Sequence, residues 1–93
     1  MKKFFYRVQQ GETLASIAQK FNLPIGCVIY DNKLKQEVYS GQILLLNIRQ
    51  NNVYKVSPKD TLNSIAQSFN LTTQYLKTQN HIEYVFYGLT IYL

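Results

Sequence analysis

A single cysteine, Cys27, is present in 93 residues, so no disulfide forms within the chain. A unit this small without staples depends on close helix and sheet packing for its stability. Tryptophan is absent, proline occurs twice and glycine four times. A hydrophobic content of 46% with only 16% charged residues belongs to a folded chain rather than a disordered one. No stretch approaches the roughly 18 apolar residues that a membrane-spanning helix needs. The opening Met1–Arg7 has the charged start of an export signal, but its apolar run is only Phe4, Phe5 and Tyr6. An export signal requires roughly seven to fifteen such residues, so the chain is not expected to direct its own export. Acidic residues number five against ten basic ones, a net charge of +5, yet the basic residues are scattered and no run exceeds two. A diffuse positive field favours anionic partners in general. It lacks the stripe or tail of a nucleic-acid binder, and no nucleic acid is expected as partner.

Catalytic and metal constellations are equally scarce. His81 is the only histidine, and no His/Cys cluster has metal-ligand spacing. Pairing Cys27 with His81 would join distant parts of the chain without an orienting third group. None of the five carboxylates forms a pair placed for glycoside cleavage. Cys27 is expected to be a small buried hydrophobe. The chain is therefore expected to bind rather than to catalyse, with no cofactor and no metal.

What the sequence does contain is itself, twice. At an offset of 48, Tyr6-x-Val8 falls on Tyr54-x-Val56, and Thr13-Leu14-x-Ser16-Ile17-Ala18-Gln19-x-Phe21-Asn22-Leu23 falls on Thr61-Leu62-x-Ser64-Ile65-Ala66-Gln67-x-Phe69-Asn70-Leu71. Asn32 then meets Asn80, giving 12 identities in the 27 positions from Tyr6 to Asn32. Past that point the second copy is one residue shorter, since Gly41 meets Gly88. The expected division is a first repeat at 1–47, a short polar join at 48–52 and a second repeat at 53–93.

Each element is read in both copies. Leu14, Ile17, Ala18 and Phe21 follow the i, i+3, i+4, i+7 spacing of a helix face, and Leu62, Ile65, Ala66 and Phe69 repeat it. These stripes are expected to form core. Thr13 and Thr61 stand where a hydroxyl caps the first free N–H groups. Glu12 and Asp60 precede them, placed to complement the helix dipole. Asn22 and Asn70 suit a left-handed stop. A second helix follows over about Ile25–Asp31 and Thr73–Gln79, opened by Pro24 in the first copy and capped by Thr72 in the second. Alternation at Phe4–Val8 and Val53–Val56 predicts a first strand in each unit. The runs Gln42–Asn47 and Leu89–Leu93, each after a glycine, predict the last. The expected fold is α+β: two tandem βααβ units, each with a two-stranded antiparallel sheet packed by two helices. Two strands alone are marginal in water, so the helices are required. Tyr39 and Tyr87 are expected to pack as walls with wet hydroxyls.

The segment Val8-Gln9-Gln10-Gly11-Glu12-Thr13-Leu14-x-Ser16-Ile17-Ala18 resembles the opening of a LysM domain, and Asn32 with Val38-Tyr39-Ser40-Gly41-Gln42 is similar to its later asparagine and its turn before the last strand. Val56-Ser57-Pro58-Lys59-Asp60-Thr61-Leu62-x-Ser64-Ile65-Ala66 resembles the same opening again. This resemblance implies a βααβ fold and non-catalytic binding of N-acetylglucosamine polymers, namely peptidoglycan, spore cortex or chitin-like chains, by tandem sites acting through avidity. It also implies a groove between the first strand-to-helix loop and the loop before the last strand. In the first copy those walls are Gln10, Gly11, Glu12, Thr13 and Leu14 facing Asp31, Asn32, Lys33 and Leu34. In the second they are Lys59, Asp60, Thr61 and Leu62 facing Asn80, His81 and Ile82. Lys59 departs from the family's glycine and the segment His81–Tyr87 is shortened, so the first copy is expected to be the better sugar site. The competing expectation is a protein-assembly module of a spore coat or cell envelope, drawn from the many Tyr and Phe. Cell wall or spore envelope is the expected location in a bacterium.

Overall fold

The computed structural model describes residues 2–49 and 52–93. Along the chain run β1 (Lys2–Arg7), α1 (Leu14–Phe21), α2 (Ile25–Asn32), β2 (Ile43–Ile48), β3 (Val53–Lys55), α3 (Leu62–Ser68), α4 (Thr73–Asn80) and β4 (Thr90–Tyr92). This is βααβ twice. β1 pairs antiparallel with β2 from Lys2↔Ile48 to Arg7↔Ile43, and β3 with β4 from Val53↔Tyr92 to Lys55↔Thr90. Ile48, expected in the polar join, belongs to β2 because it completes the register opposite Lys2. Gln50 and Asn51 of that join lie outside the described residues.

Local chemistry sets the helix limits. Thr13 Oγ1 accepts from the Ser16 N–H at 3.1 Å while Ser16 Oγ accepts from the Thr13 N–H at 2.9 Å. Thr61 and Ser64 repeat the exchange at 3.0 and 2.9 Å. Each reciprocal box satisfies two otherwise free donors. Asn22 and Asn70 both adopt the left-handed conformation, at φ 58°. Thr72 caps α4 by accepting from the Tyr75 N–H, whereas Pro24 stays extended at ψ 130° and α2 begins one residue later. Glu12 and Asp60 do not serve the helix dipole in the expected way. Neither helix has an acidic residue in its first turn, and both carboxylates fold back onto the preceding strand.

Two apolar clusters fill the units. In the first, Val8, Leu14, Ile17, Val28, Leu44 and Leu46 are buried; in the second, Val56, Ile65, Ala66, Leu76, Leu89 and Ile91. Each fully buried side chain of this size contributes about 1.5–3 kcal/mol. The stripes expected as core are buried at Leu14, Ile17, Ala18, Ile65 and Ala66, while Phe21 and Leu62 are half-buried and Phe69 is exposed. Cys27 is buried, and burial pushes its thiol pKa up to about 11.

The clusters are not independent. Tyr92, from the last strand of the second unit, is buried in the first unit's cluster, and Ile25 packs against both. The Cys27 thiol lies 3.5 Å from the Gln79 carbonyl, and Arg49 lies over the Tyr92 ring at 5.6 Å. At Gly26 an added Cβ would collide with the Asn80 carbonyl oxygen and come within 2.9 Å of that of His81. Glycine therefore lets α2 approach the end of α4 more closely than any other residue would.

Candidate functional site

Beside the capped start of each first helix lies an open groove. In the first repeat it is lined by Leu14, Ile29, Leu34, Lys35, Gln36 and Glu37, with a volume of about 290 Å³. In the second it is lined by Asp60, Thr61, Leu62, Asn63, Thr73, Lys77, Glu83, Tyr84 and Val85, about 420 Å³. The near wall is therefore the threonine–leucine turn. Ile29 and Lys77, which align at an offset of 48, add one side chain from the second helix in each groove.

The far wall differs from that read in the sequence. Asn32 and Asn80 turn inward. Asn32 Nδ2 donates to the carbonyls of Val28 and Leu45 while its Oδ1 accepts from the Leu45 N–H. Asn80, fully buried, does the same with Leu76 and Tyr92. Each amide fastens the end of the second helix to the last strand, and three of its bonds are already used. Asp31 and Lys33 line a hollow next to the first groove, and His81 and Ile82 one next to the second. Leu34, read as far wall in the sequence, does line the first groove, and there it is joined by Lys35–Glu37; Glu83–Val85 take that place in the second. Thr73 and Lys77 stand on one face of α4 at i and i+4 spacing, and Ile29 takes the place of Lys77 on α2, a signal the sequence carries. The loop residues carry none, because where a loop folds back depends on the strand after it.

Of the first-loop residues, only Leu14 lines the first groove; Gln10, Gly11, Glu12 and Thr13 do not. Gly11 has φ 86°, with nothing within 4 Å of the place a Cβ would take. Lys59, at the equivalent position, is not in the positive-φ region, so the second turn takes a different shape there, and Lys59 itself is outside the groove lining. Glu12 accepts from the Gln9 N–H at 2.7 Å and from the Tyr6 hydroxyl, and those bonds, together with Lys20 at 3.8 Å, hold its carboxyl below the ordinary value of 4.5. Asp60 accepts from the Tyr54 hydroxyl and the Ser57 N–H, which lower it below 3.8. Both brace the loop rather than present a free charge.

The two grooves differ at one amide. Glu37 Oε1 accepts from the Leu14 N–H at 2.7 Å and from the Val38 N–H at 2.9 Å, so the protein itself occupies the first free donor of α1. The second repeat is one residue shorter in this segment, and no such carboxylate is bonded to Leu62 N among the described residues. Tyr39 and Tyr87, expected as walls, are 63% and 72% exposed because both stand at the turn before the last strand. Tyr87 joins Phe86, Leu23 and Ile25 around a separate hollow of about 320 Å³ at the junction of the repeats. Among the described residues no group of His, Cys, Asp and Glu is placed to hold a metal, and no helix is long and apolar enough to cross a membrane.

The LysM domain profile matches residues 6–47 and 54–83, one segment in each repeat. Among solved structures, the chain is similar to the Bacillus cereus spore cortex-lytic enzyme SleL, at 26% identity and a TM-score of 0.50 over the whole of this chain and 23% of that one. It also aligns with the Bacillus megaterium QM B1551 spore cortex-lytic enzyme SleL, at 23% identity and a TM-score of 0.48, over 96% of this chain and 22% of that one. The chain thus spans under a quarter of the length of those enzymes. No curated protein matches it. With two capped βααβ units and a family match in each, the chain belongs to the LysM domain family.

Proposed function

We propose that the chain is a non-catalytic binding module for N-acetylglucosamine-containing glycan of the bacterial wall or spore cortex, with one groove in each repeat. The observation that carries this reading is the recurrence of the groove at the same place in both copies, between a threonine–leucine turn and the segment before the last strand. An acetamide sugar needs an apolar surface for its methyl and polar groups for its amide and hydroxyls. Leu14, Ile29 and Leu34 supply the first in one groove, Leu62 and Val85 in the other. Backbone donors of the turns supply the second. Four of the five carboxylates, Glu12, Asp31, Glu37 and Asp60, accept hydrogen bonds within the fold, which fits binding better than bond cleavage.

The second groove is the more open to an incoming carbonyl, because Leu62 N lacks the carboxylate that Leu14 N has. This reverses the preference suggested by Lys59 and the shortened loop. Two sites on one polymer multiply weak affinities without new contacts. Isothermal titration with N-acetylglucosamine oligomers of increasing length is expected to show affinity rising with length; a flat or absent response would overturn the reading.

A second reading, docking to an envelope or spore-coat protein, is favoured by one observation. Tyr84, Phe86 and Tyr87 are 71%, 55% and 72% exposed within one short segment. Aromatic residues of this kind are enriched at protein interfaces. Sedimentation with insoluble peptidoglycan separates the two: it is lost on altering Leu62 and Thr61 under the glycan reading, and unaffected under the other.

A further inference from the structure

We propose that the junction between the repeats is itself a sugar subsite, formed by the stacked rings of Tyr30 and His81, and that it joins the two grooves into one track for a single N-acetylglucosamine-containing chain. The proposal rests on the glycan reading of the grooves and extends it to surface that neither repeat owns alone.

Continuity of the lining is the first observation. Ile29, Leu34 and Lys35 line both the first groove and an adjoining hollow that Tyr30 also lines. Lys77 and Glu83 likewise line both the second groove and a hollow shared with His81. The gap between these hollows is bridged by the rings themselves, with centroids 3.8 Å apart and planes within 9°. Each repeat thus carries surface from its groove to the same aromatic pair.

The chemistry of that pair suits a pyranose. A sugar ring has a C–H face that packs on aromatic surface and an equatorial rim of hydroxyls that needs polar partners. Tyr30 remains 62% exposed although one face is covered by His81. Asp31 and Lys33 beside it, and Gln74 and Thr78 on the other side, supply acceptors and donors.

The stack is also built in advance of any ligand. Gly26 and Tyr30 are four residues apart on one face of α2. The missing side chain at Gly26 brings that face against the Asn80 and His81 carbonyls, and Tyr30 one turn later then meets the His81 ring. His81 is fixed in turn by its left-handed backbone, φ 54°, as the C-cap of α4. A preorganised platform spends little ordering entropy on binding.

The test uses Tyr30→Ser and His81→Asn, the latter because asparagine tolerates the left-handed conformation while removing the ring, with Tyr30→Phe as the conservative control. Each is titrated with a trimer and an octamer of N-acetylglucosamine. The expected result is a loss of roughly five- to tenfold in octamer affinity for the first two variants, with trimer affinity unchanged and Tyr30→Phe like the unaltered protein. Octamer affinity unaffected in both variants, or trimer and octamer weakened alike, overturns the subsite while leaving the grooves standing. An unaltered protein that binds neither oligomer overturns the glycan reading and the subsite with it.

Discussion

The first repeat has six paired positions in its sheet and a groove whose leading amide is held by Glu37; the second has three and leaves Leu62 N without that carboxylate. The same threonine box and the same inward-turned asparagine frame both. At that leading amide, the difference goes with one residue of length in the segment before the last strand. Within this fold, then, the frame is set by caps and core, and the ligand-facing donors are set by the loop. The second repeat gives up sheet length and leans on its neighbour, placing Tyr92 in the other unit's core.

That asymmetry predicts unequal costs for equivalent substitutions. Asn80→Ala is expected to cost roughly 3 kcal/mol, since it leaves the buried Tyr92 N–H and two carbonyls unpaired. Asn32, only partly buried, should cost about 1 kcal/mol less on the same change. Thermal unfolding of both variants compares them directly. Gly26→Ala comes next, at about 2 kcal/mol from the clash with the Asn80 and His81 carbonyls. It is expected to split one unfolding transition into two in calorimetry, and a single unshifted transition would show that the junction does not couple the repeats.

Smaller effects sharpen the contrast between the grooves. Glu37→Ala removes the carboxylate from Leu14 N, at a stability cost of about 1 kcal/mol. It is expected to raise glycan affinity in the first groove and leave the second unchanged, as read by amide-resolved titration. Acid probes the loop braces. Because Glu12 and Asp60 hold their protons less readily folded than unfolded, the stability they add is complete at neutral pH. It is lost as pH falls below the ordinary values of 4.5 and 3.8 toward the lowered folded ones. Tyr6→Phe and Tyr54→Phe should each flatten that acid limb in denaturant melts. Tyr92→Phe is the smallest, near zero or slightly stabilising. Its hydroxyl is buried without a hydrogen-bond partner among the described residues, the Arg49 main chain lying near without completing one.

Much of the frame was legible in the sequence because it obeys short-range rules read twice. Helix faces, threonine caps, left-handed asparagines and the strand-helix-helix-strand order all follow from spacing within one unit. Glu12 and Asp60 were misread because their partners, Tyr6 and Tyr54, lie across a turn from them, so spacing along the helix could not reveal the bond. The inward turn of Asn32 and Asn80 was hidden for a similar reason, since their partners are in the last strand. The far groove walls and the junction depend on how separate elements meet. A glycine inside a helix is unfavourable by propensity, and the role of Gly26 appears only when α4 is set against it.

The most direct test of the two-groove account is an amide-resolved NMR titration of the labelled chain with an N-acetylglucosamine oligomer. The account predicts shifts at Leu62 and Glu83–Val85 at the lowest ligand ratio, then at Leu14 and Lys35–Glu37. Shifts confined to the exposed segment around Phe86 and Tyr87, or none at any ratio, would contradict it.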